Sequence, residues 1–163
     1  MLTNIDIEKF CAQQHIQLVE VVMKDQLGTK PVLGNYIVNL QSSTQGDGTH
    51  WTALVVAESV NVFFDSFGAP PSQEVVEFCR RTGRRTVFND WIVQDLDSDL
   101  CGWYCIGLLH AVSGGGGGSV QEDTNEYINR FGGDTKSNGS VLKAFFRSWC
   151  TSGSFMRRLL RAH

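Results

Sequence analysis

No apolar run in the 163-residue sequence approaches the ~18 residues that a membrane-spanning helix needs; the longest, around Ala53–Ala57, is the length of a strand. Charge is scarce at 19%, beside 42% hydrophobic and 10% aromatic residues, and that balance excludes an intrinsically disordered chain. An excess of basic residues is also missing. A net charge of −3 argues against a chain-wide attraction to nucleic acid. The opening MLTNIDIEKF has no basic region followed by an apolar stretch, so an export signal is not expected and a reducing compartment is. The five cysteines (Cys11, Cys79, Cys101, Cys105 and Cys150) are an odd number for such a chain. A disulfide framework is therefore not expected, and at least one thiol is a candidate for chemistry. A chain of ~150 residues buries roughly two-thirds of its unfolded surface, so one domain over residues 1–163 is the expectation.

Thr3 and Asp6 resemble a capping box ahead of a helix to His15, in which Ile7, Phe10 and Cys11 share a face. Asn35–Leu40 reads as a strand. His50–Ala57 (HWTALVVA) is apolar on both faces, as in the middle of a covered sheet, and Asn61–Asp65 reads as its hairpin partner. Pro70-Pro71-Ser72 opens a helix through Arg81, and Trp91–Gln94 reads as a short strand. Helices are expected over Cys101–Val112, over Val120–Phe131 behind a Ser119/Glu122 capping box, and over Ser140–Cys150, before a short Arg-rich tail. Strands in the first half and helices in the second suit an α+β domain better than alternating βαβ units.

Ser113–Ser119 holds five consecutive glycines between serines, the composition of a flexible tether. It lacks the glycine spacing and the following Lys-Ser/Thr of a phosphate loop. An engineered replacement for a mobile loop is the expectation. The clusters Arg80/Arg81/Arg84/Arg85 and Arg157/Arg158/Arg161 lie near expected helix ends, where cations suit the helix dipole, and read as solvated surface.

Four features then arrive in order: His50-Trp51 at a strand start, Asp65 at the end of the next strand, Gln94, and Cys101-Gly102 opening a helix. Singly, each has a bland reading as surface polar residue, turn former or small buried hydrophobe. Together they meet the needs of thiol-based acyl transfer. A free thiol with a pKa of ~8.5 is mostly protonated at neutral pH, and a helix N-terminus favours the thiolate through its dipole and free N–H groups. A histidine must take the proton and return it to the leaving amine. A carboxylate behind it fixes the tautomer, and a side-chain amide with a backbone N–H receives the oxyanion.

The segments Gly48-Thr49-His50-Trp51, Phe64-Asp65-Ser66-Phe67-Gly68 and Gln94 through Cys101-Gly102-Trp103-Tyr104-Cys105 to Val112 resemble the adenain-like viral cysteine proteases. This family includes the adenovirus maturation protease and relatives in virophages and polinton-type elements. The order His, acid, Gln, Cys is the family's, and the seven-residue step from Gln94 to Cys101 is the adenain-like one. The related proteases of ubiquitin-like modifiers share this order, with a step usually one residue shorter. Adenovirus enzymes carry Glu where this chain has Asp65, as the modifier proteases do, which leaves the subfamily open. The resemblance covers roughly Gly48–Val112.

It implies a mixed central sheet flanked by helices, with the nucleophile at the N-terminus of a buried helix. It further implies Cys101 as nucleophile, His50 as general base and acid, Asp65 as orienting carboxylate, and Gln94 as oxyanion donor beside the Cys101 N–H. Trp51 and Gly102 are the candidate substrate-binding positions, with Trp51 read equally well as a core residue. The implied substrates are viral capsid and core precursor proteins cut at Gly-containing sites, in the infected cell or virion. No cofactor, metal or membrane is expected, and a monomer is. Adenovirus members are activated by DNA and by a peptide joined through a cysteine. An acidic chain gives no support for DNA contact, and no cysteine outside the motif can be matched to that role.

His110, nine positions after Cys101, falls on the opposite helix face and is expected to pack against the protein body. Cys101 and Cys105 have helical spacing, but no second Cys/His pair accompanies them, so Cys105 reads as core rather than zinc ligand. Asp95, Asp97 and Asp99 lack the glycine and glutamate of a calcium loop. Two rival readings remain open: a protease that removes ubiquitin-like modifiers, and a catalytically silent module that docks proteins.

Overall fold

The computed structural model describes residues 1–114 and 117–163. Helix α1 (Asn4–Gln13) is followed by strand β1 (Glu20–Met23), a 3-10 turn over Lys24–Gln26, β2 (Gly34–Asn39), β3 (Trp51–Val56) and β4 (Asn61–Phe64). Then come α2 (Gln73–Arg80), β5 (Thr86–Phe88) and four helices: α3 (Cys101–Ser113), α4 (Val120–Ile128), α5 (Thr135–Arg147) and α6 (Gly153–Arg161). The sheet order is β1-β2-β3-β4-β5, with antiparallel β2/β3 and β3/β4 pairs and a parallel pair at each edge. This is the expected α+β architecture with a mixed sheet. No described helix is long and apolar enough to cross a membrane.

Successive strand residues face opposite sides of a sheet, and the central strands bury both. Ile37, Trp51, Ala53, Val55, Val62 and Phe64 join the core beneath α3, whereas Tyr36, Val38, Leu54, Val56 and Phe63 join Val75, Phe78 and Cys79 of α2 on the other side. The double-sided apolar pattern of β3 thus reflects helices on both faces. Helix α3 is itself buried on every side from Cys101 to Leu109, as expected for a helix apolar all round. Phe10 of α1 locks the helical layer together, with T-shaped contacts to Trp103 and Phe155 at centroid distances of 5.6 and 4.9 Å.

Both capping boxes form, Thr3 with Asp6 and Ser119 with Glu122. The expected strand over Trp91–Gln94 does not. The Asn89 side chain takes up the Asp65 N–H (3.0 Å) and C=O (2.7 Å), where a further strand residue would have paired, and the chain leaves the sheet there. Val93 and Gln94 instead both donate their N–H to the Ser66 carbonyl. Sequence reading omitted β1 and β5, two short edge strands. Helix α5 begins at Thr135, ahead of the expected Ser140, because Asp134 caps it through the Lys136 N–H. Gly114 caps the end of α3 and Ser119 the start of α4; the tether reading of Ser113–Ser119 includes residues 115–116, which lie outside the described ones.

Gly107 of α3 faces the buried Tyr127 of α4, whose hydroxyl donates to the Tyr104 carbonyl at 2.9 Å. A methyl at position 107 would lie 2.5 Å from that hydroxyl oxygen. Alanine gains about 1 kcal/mol over glycine in a helix interior, but overpacking a core costs about 1–3 kcal/mol. Gly107→Ala is therefore expected to destabilise the fold despite its better helix propensity, read as a lower midpoint in urea denaturation.

Candidate active site

The β3/β4 hairpin brings the first two site residues together. Its register pairs Ala53 with Phe64. His50 directly precedes β3 and Asp65 directly follows β4, so adjacent ends of the hairpin carry them. The contacts follow that geometry. His50 Nε2 lies 2.7 Å from Asp65 Oδ1, and the Phe67 ring stacks on the imidazole at 4.7 Å. A carboxylate only accepts, so Nε2 carries the proton and Nδ1 is the nitrogen left for a thiol.

Asp65 is 1% exposed, and its Oδ1 also accepts the Phe67 N–H at 2.8 Å. Burial opposes a charge on His50. The Asp65 hydrogen bond and charge, together with the neighbouring Cys101 side chain, outweigh it, raising the imidazole from 6.5 to about 9. Cys101 therefore lies beside this imidazole, which Asp65 holds from the other nitrogen. Substrate-free catalytic pairs are commonly loose and tighten when substrate binds.

Cys101 is the first residue of α3, with no side chain capping that end and no acid in its first turn. The leading N–H groups of a helix have no partner within it, so they remain as donors beside the sulfur. The other thiols are held protonated by burial: Cys11 is pushed up to about 12, Cys105 well above the ordinary value, and Cys79 and Cys150 upward. Cys105 donates to the Trp51 carbonyl at 3.3 Å, as befits core. All five thiols are free.

Gln94 is 1% exposed, in the segment that Tyr104 of α3 and Asn138 of α5 both grip by hydrogen bonds to the Val93 carbonyl. Its Oε1 accepts from the Ser66 hydroxyl at 2.6 Å and its Nε2 donates to the Ser98 carbonyl at 2.9 Å. One N–H of the amide is left over. Sequence reading missed Ser66, Phe67 and Asn89 as contributors. They sit in or against a turn, where such residues ordinarily serve only local geometry. Gly68 closes that turn at φ +70°, with space for a side chain blocked at 2.9 Å by the Trp91 backbone.

Trp51 is buried, its indole N–H donating to the Leu2 carbonyl at 2.8 Å, and it lines a cavity of about 490 Å³ with Thr3, Ile5, Met23 and Asp47. Gly102 is buried against Leu2 and Trp51. His110 stacks on Trp149 at 3.6 Å, away from His50 and Asp65, and burial lowers its pKa. Among the described residues no three His, Cys, Asp or Glu side chains gather as metal ligands would. Within the basic clusters, Arg158 pairs with Asp6 at 2.6 Å, and Arg84 and Arg85 bond the Glu58 carbonyl and Gln121.

A crystal structure of the ASFV pS273R protease aligns with a TM-score of 0.55 at 13% identity, over 91% of this chain and 66% of that one. The two share a fold. A selenomethionine crystal structure of the same protease aligns with a TM-score of 0.41 at 18% identity, over 58% of this chain and 41% of that one. This chain thus spans at most about two-thirds of the length of either. Neither a protein-family model nor a curated protein matches the sequence.

The His50 environment predicts a titration. The folded state favours the protonated ring, so the stabilisation from this pair is complete below 6.5 and is lost as pH rises through about 9. Imidazole NMR is expected to place His50 near that upper value. Asp65→Asn is expected to move it down sharply, because burial then acts with less opposition; an unchanged titration would refute the coupling.

Proposed function

We propose that the chain is a cysteine endopeptidase of the adenain-like kind. One observation carries the reading: a single imidazole is held by a buried carboxylate on one side, with a thiol at an uncapped helix N-terminus beside it. The shared fold with the ASFV pS273R protease is in keeping with it.

His50 takes the Cys101 proton at Nδ1, and the sulfur attacks the scissile carbonyl carbon. The oxyanion is received by the Cys101 N–H and the free N–H of Gln94. His50 then returns the proton to the leaving amine as the carbon–nitrogen bond breaks, leaving a thioester. Water, deprotonated by the same imidazole, releases the acid and restores the thiol. Asp65 keeps Nε2–H engaged throughout and stabilises the imidazolium.

Cys101 is only 2% exposed, so the approach to its sulfur is narrow. Residues without bulky side chains at the scissile bond suit it, which supports Gly-containing cleavage sites. The substrates in this reading are viral capsid and core precursors, cut in the infected cell or virion. Asp65 in the acid position favours a second reading, removal of ubiquitin-like modifiers, whose tails also end in small residues.

Cys101→Ala is expected to abolish peptide cleavage with the fold intact; retained cleavage would overturn the assignment and leave a protein-docking module. His50→Ala is expected to lower kcat/KM by roughly 10²–10⁴-fold. Asp65→Asn should cost less, since the base itself remains. Offering a Gly-rich capsid-derived peptide beside an intact modifier conjugate separates the two substrate classes, and preference for the conjugate would reverse their order.

A further inference from the structure

We infer that Ser66 is a positioning residue for the reaction, holding the Gln94 carboxamide in the orientation that the Ser98 carbonyl selects. The inference rests on the thiol-protease reading. A carboxamide is nearly symmetric in shape, but its two ends do opposite things to a developing oxyanion. The nitrogen end donates to it; the oxygen end would repel it. An unrestrained Gln94 would sample both.

One contact selects between the two orientations and a second holds the amide in place. The Ser98 carbonyl can only accept, and it takes one N–H of Nε2 at 2.9 Å. A flipped amide would set oxygen against oxygen there. At the opposite end the Ser66 hydroxyl donates to Oε1 at 2.6 Å. Ser66 has no exposed surface and Gln94 only 1%, so bulk water does not reach the pair to replace a lost hydroxyl. The amide is thereby left with a single unengaged N–H, in a fixed direction.

The backbone adds to the grip, because the Ser66 carbonyl accepts the N–H of both Val93 and Gln94. Ser66 also follows Asp65 directly in the chain. One turn therefore orients the imidazole through its carboxylate and anchors the oxyanion donor through its hydroxyl. The serine touches no reacting atom; it acts through Gln94.

The test compares two reactions of the same thiol. Iodoacetamide alkylates Cys101 by forming a sulfur–carbon bond as iodide leaves, and no oxyanion develops. Cleavage of a fluorogenic Gly-containing peptide passes through one. In Ser66→Ala, kcat for cleavage is expected to fall roughly tenfold to a hundredfold, less than or equal to the loss of a whole oxyanion donor. KM and the alkylation rate should each stay within about twofold. Combining Ser66→Ala with Gln94→Ala should cost no more than Gln94→Ala alone, as for residues that act as a unit.

Unchanged cleavage in Ser66→Ala would overturn the inference. So would a parallel fall in alkylation, which signals general disruption of the site, or additive losses in the double variant. Wild-type cleavage that depends on Cys101 but not on Ser66 removes only this inference. Wild-type protein with no Cys101-dependent cleavage removes it together with the protease reading.

Discussion

One carboxylate oxygen, Asp65 Oδ1, organises the site. It accepts the imidazole N–H of His50 and the backbone N–H of Phe67 together, in a pocket closed to solvent. A buried charge is tolerated only when hydrogen bonds replace its water, and these two donors are what replace it. The bond to His50 chooses the tautomer; the bond to Phe67 bends the chain so that its ring covers the imidazole. Every other part of the arrangement presupposes that this oxygen is where it is.

The scaffold's contribution is to bring three segments to that point. The β3/β4 hairpin supplies histidine and acid from the residues that directly flank its paired strands, which is a stiffer support than a long loop. Helix α3 runs through the middle of the helical layer, packed on all sides, and delivers its N-terminus to the imidazole. The segment from Asn89 to Gln94 is stitched between them by side chains rather than by strand pairing, with Asn89 and Ser66 on one side and Tyr104 and Asn138 on the other. A region held by side-chain hydrogen bonds can present an amide in a direction that no ladder would allow.

Much of this is legible in the amino-acid order. The capping boxes, the double-sided hydrophobicity of β3 and the His50, Asp65, Gln94, Cys101 series depend on local pattern or on residue chemistry, and both survive in a sequence. What escapes has non-local causes. Strands β1 and β5 are short, and each pairs in parallel with a partner that only the folded sheet defines. Trp91–Gln94 looks like a strand because Trp, Ile and Val favour one; its hydrogen bonds go elsewhere because Asn89 ends the pairing. The first turn of α5 looks like loop because Asn138, polar by type, is buried and bonds Val93 and Gly132. Ser66 and Phe67 read as turn residues, and nothing short of three-dimensional contact distinguishes a serine that shapes a turn from one that also holds a buried amide.

The strands lie side by side in the order in which the chain makes them. Each strand after the first therefore docks onto an edge left by its immediate predecessor, and the entropy of closing each connection stays small. The ends that carry His50 and Asp65 are thus set by neighbouring strands, whereas Cys101 is brought to them by a helix from a later stretch of the chain.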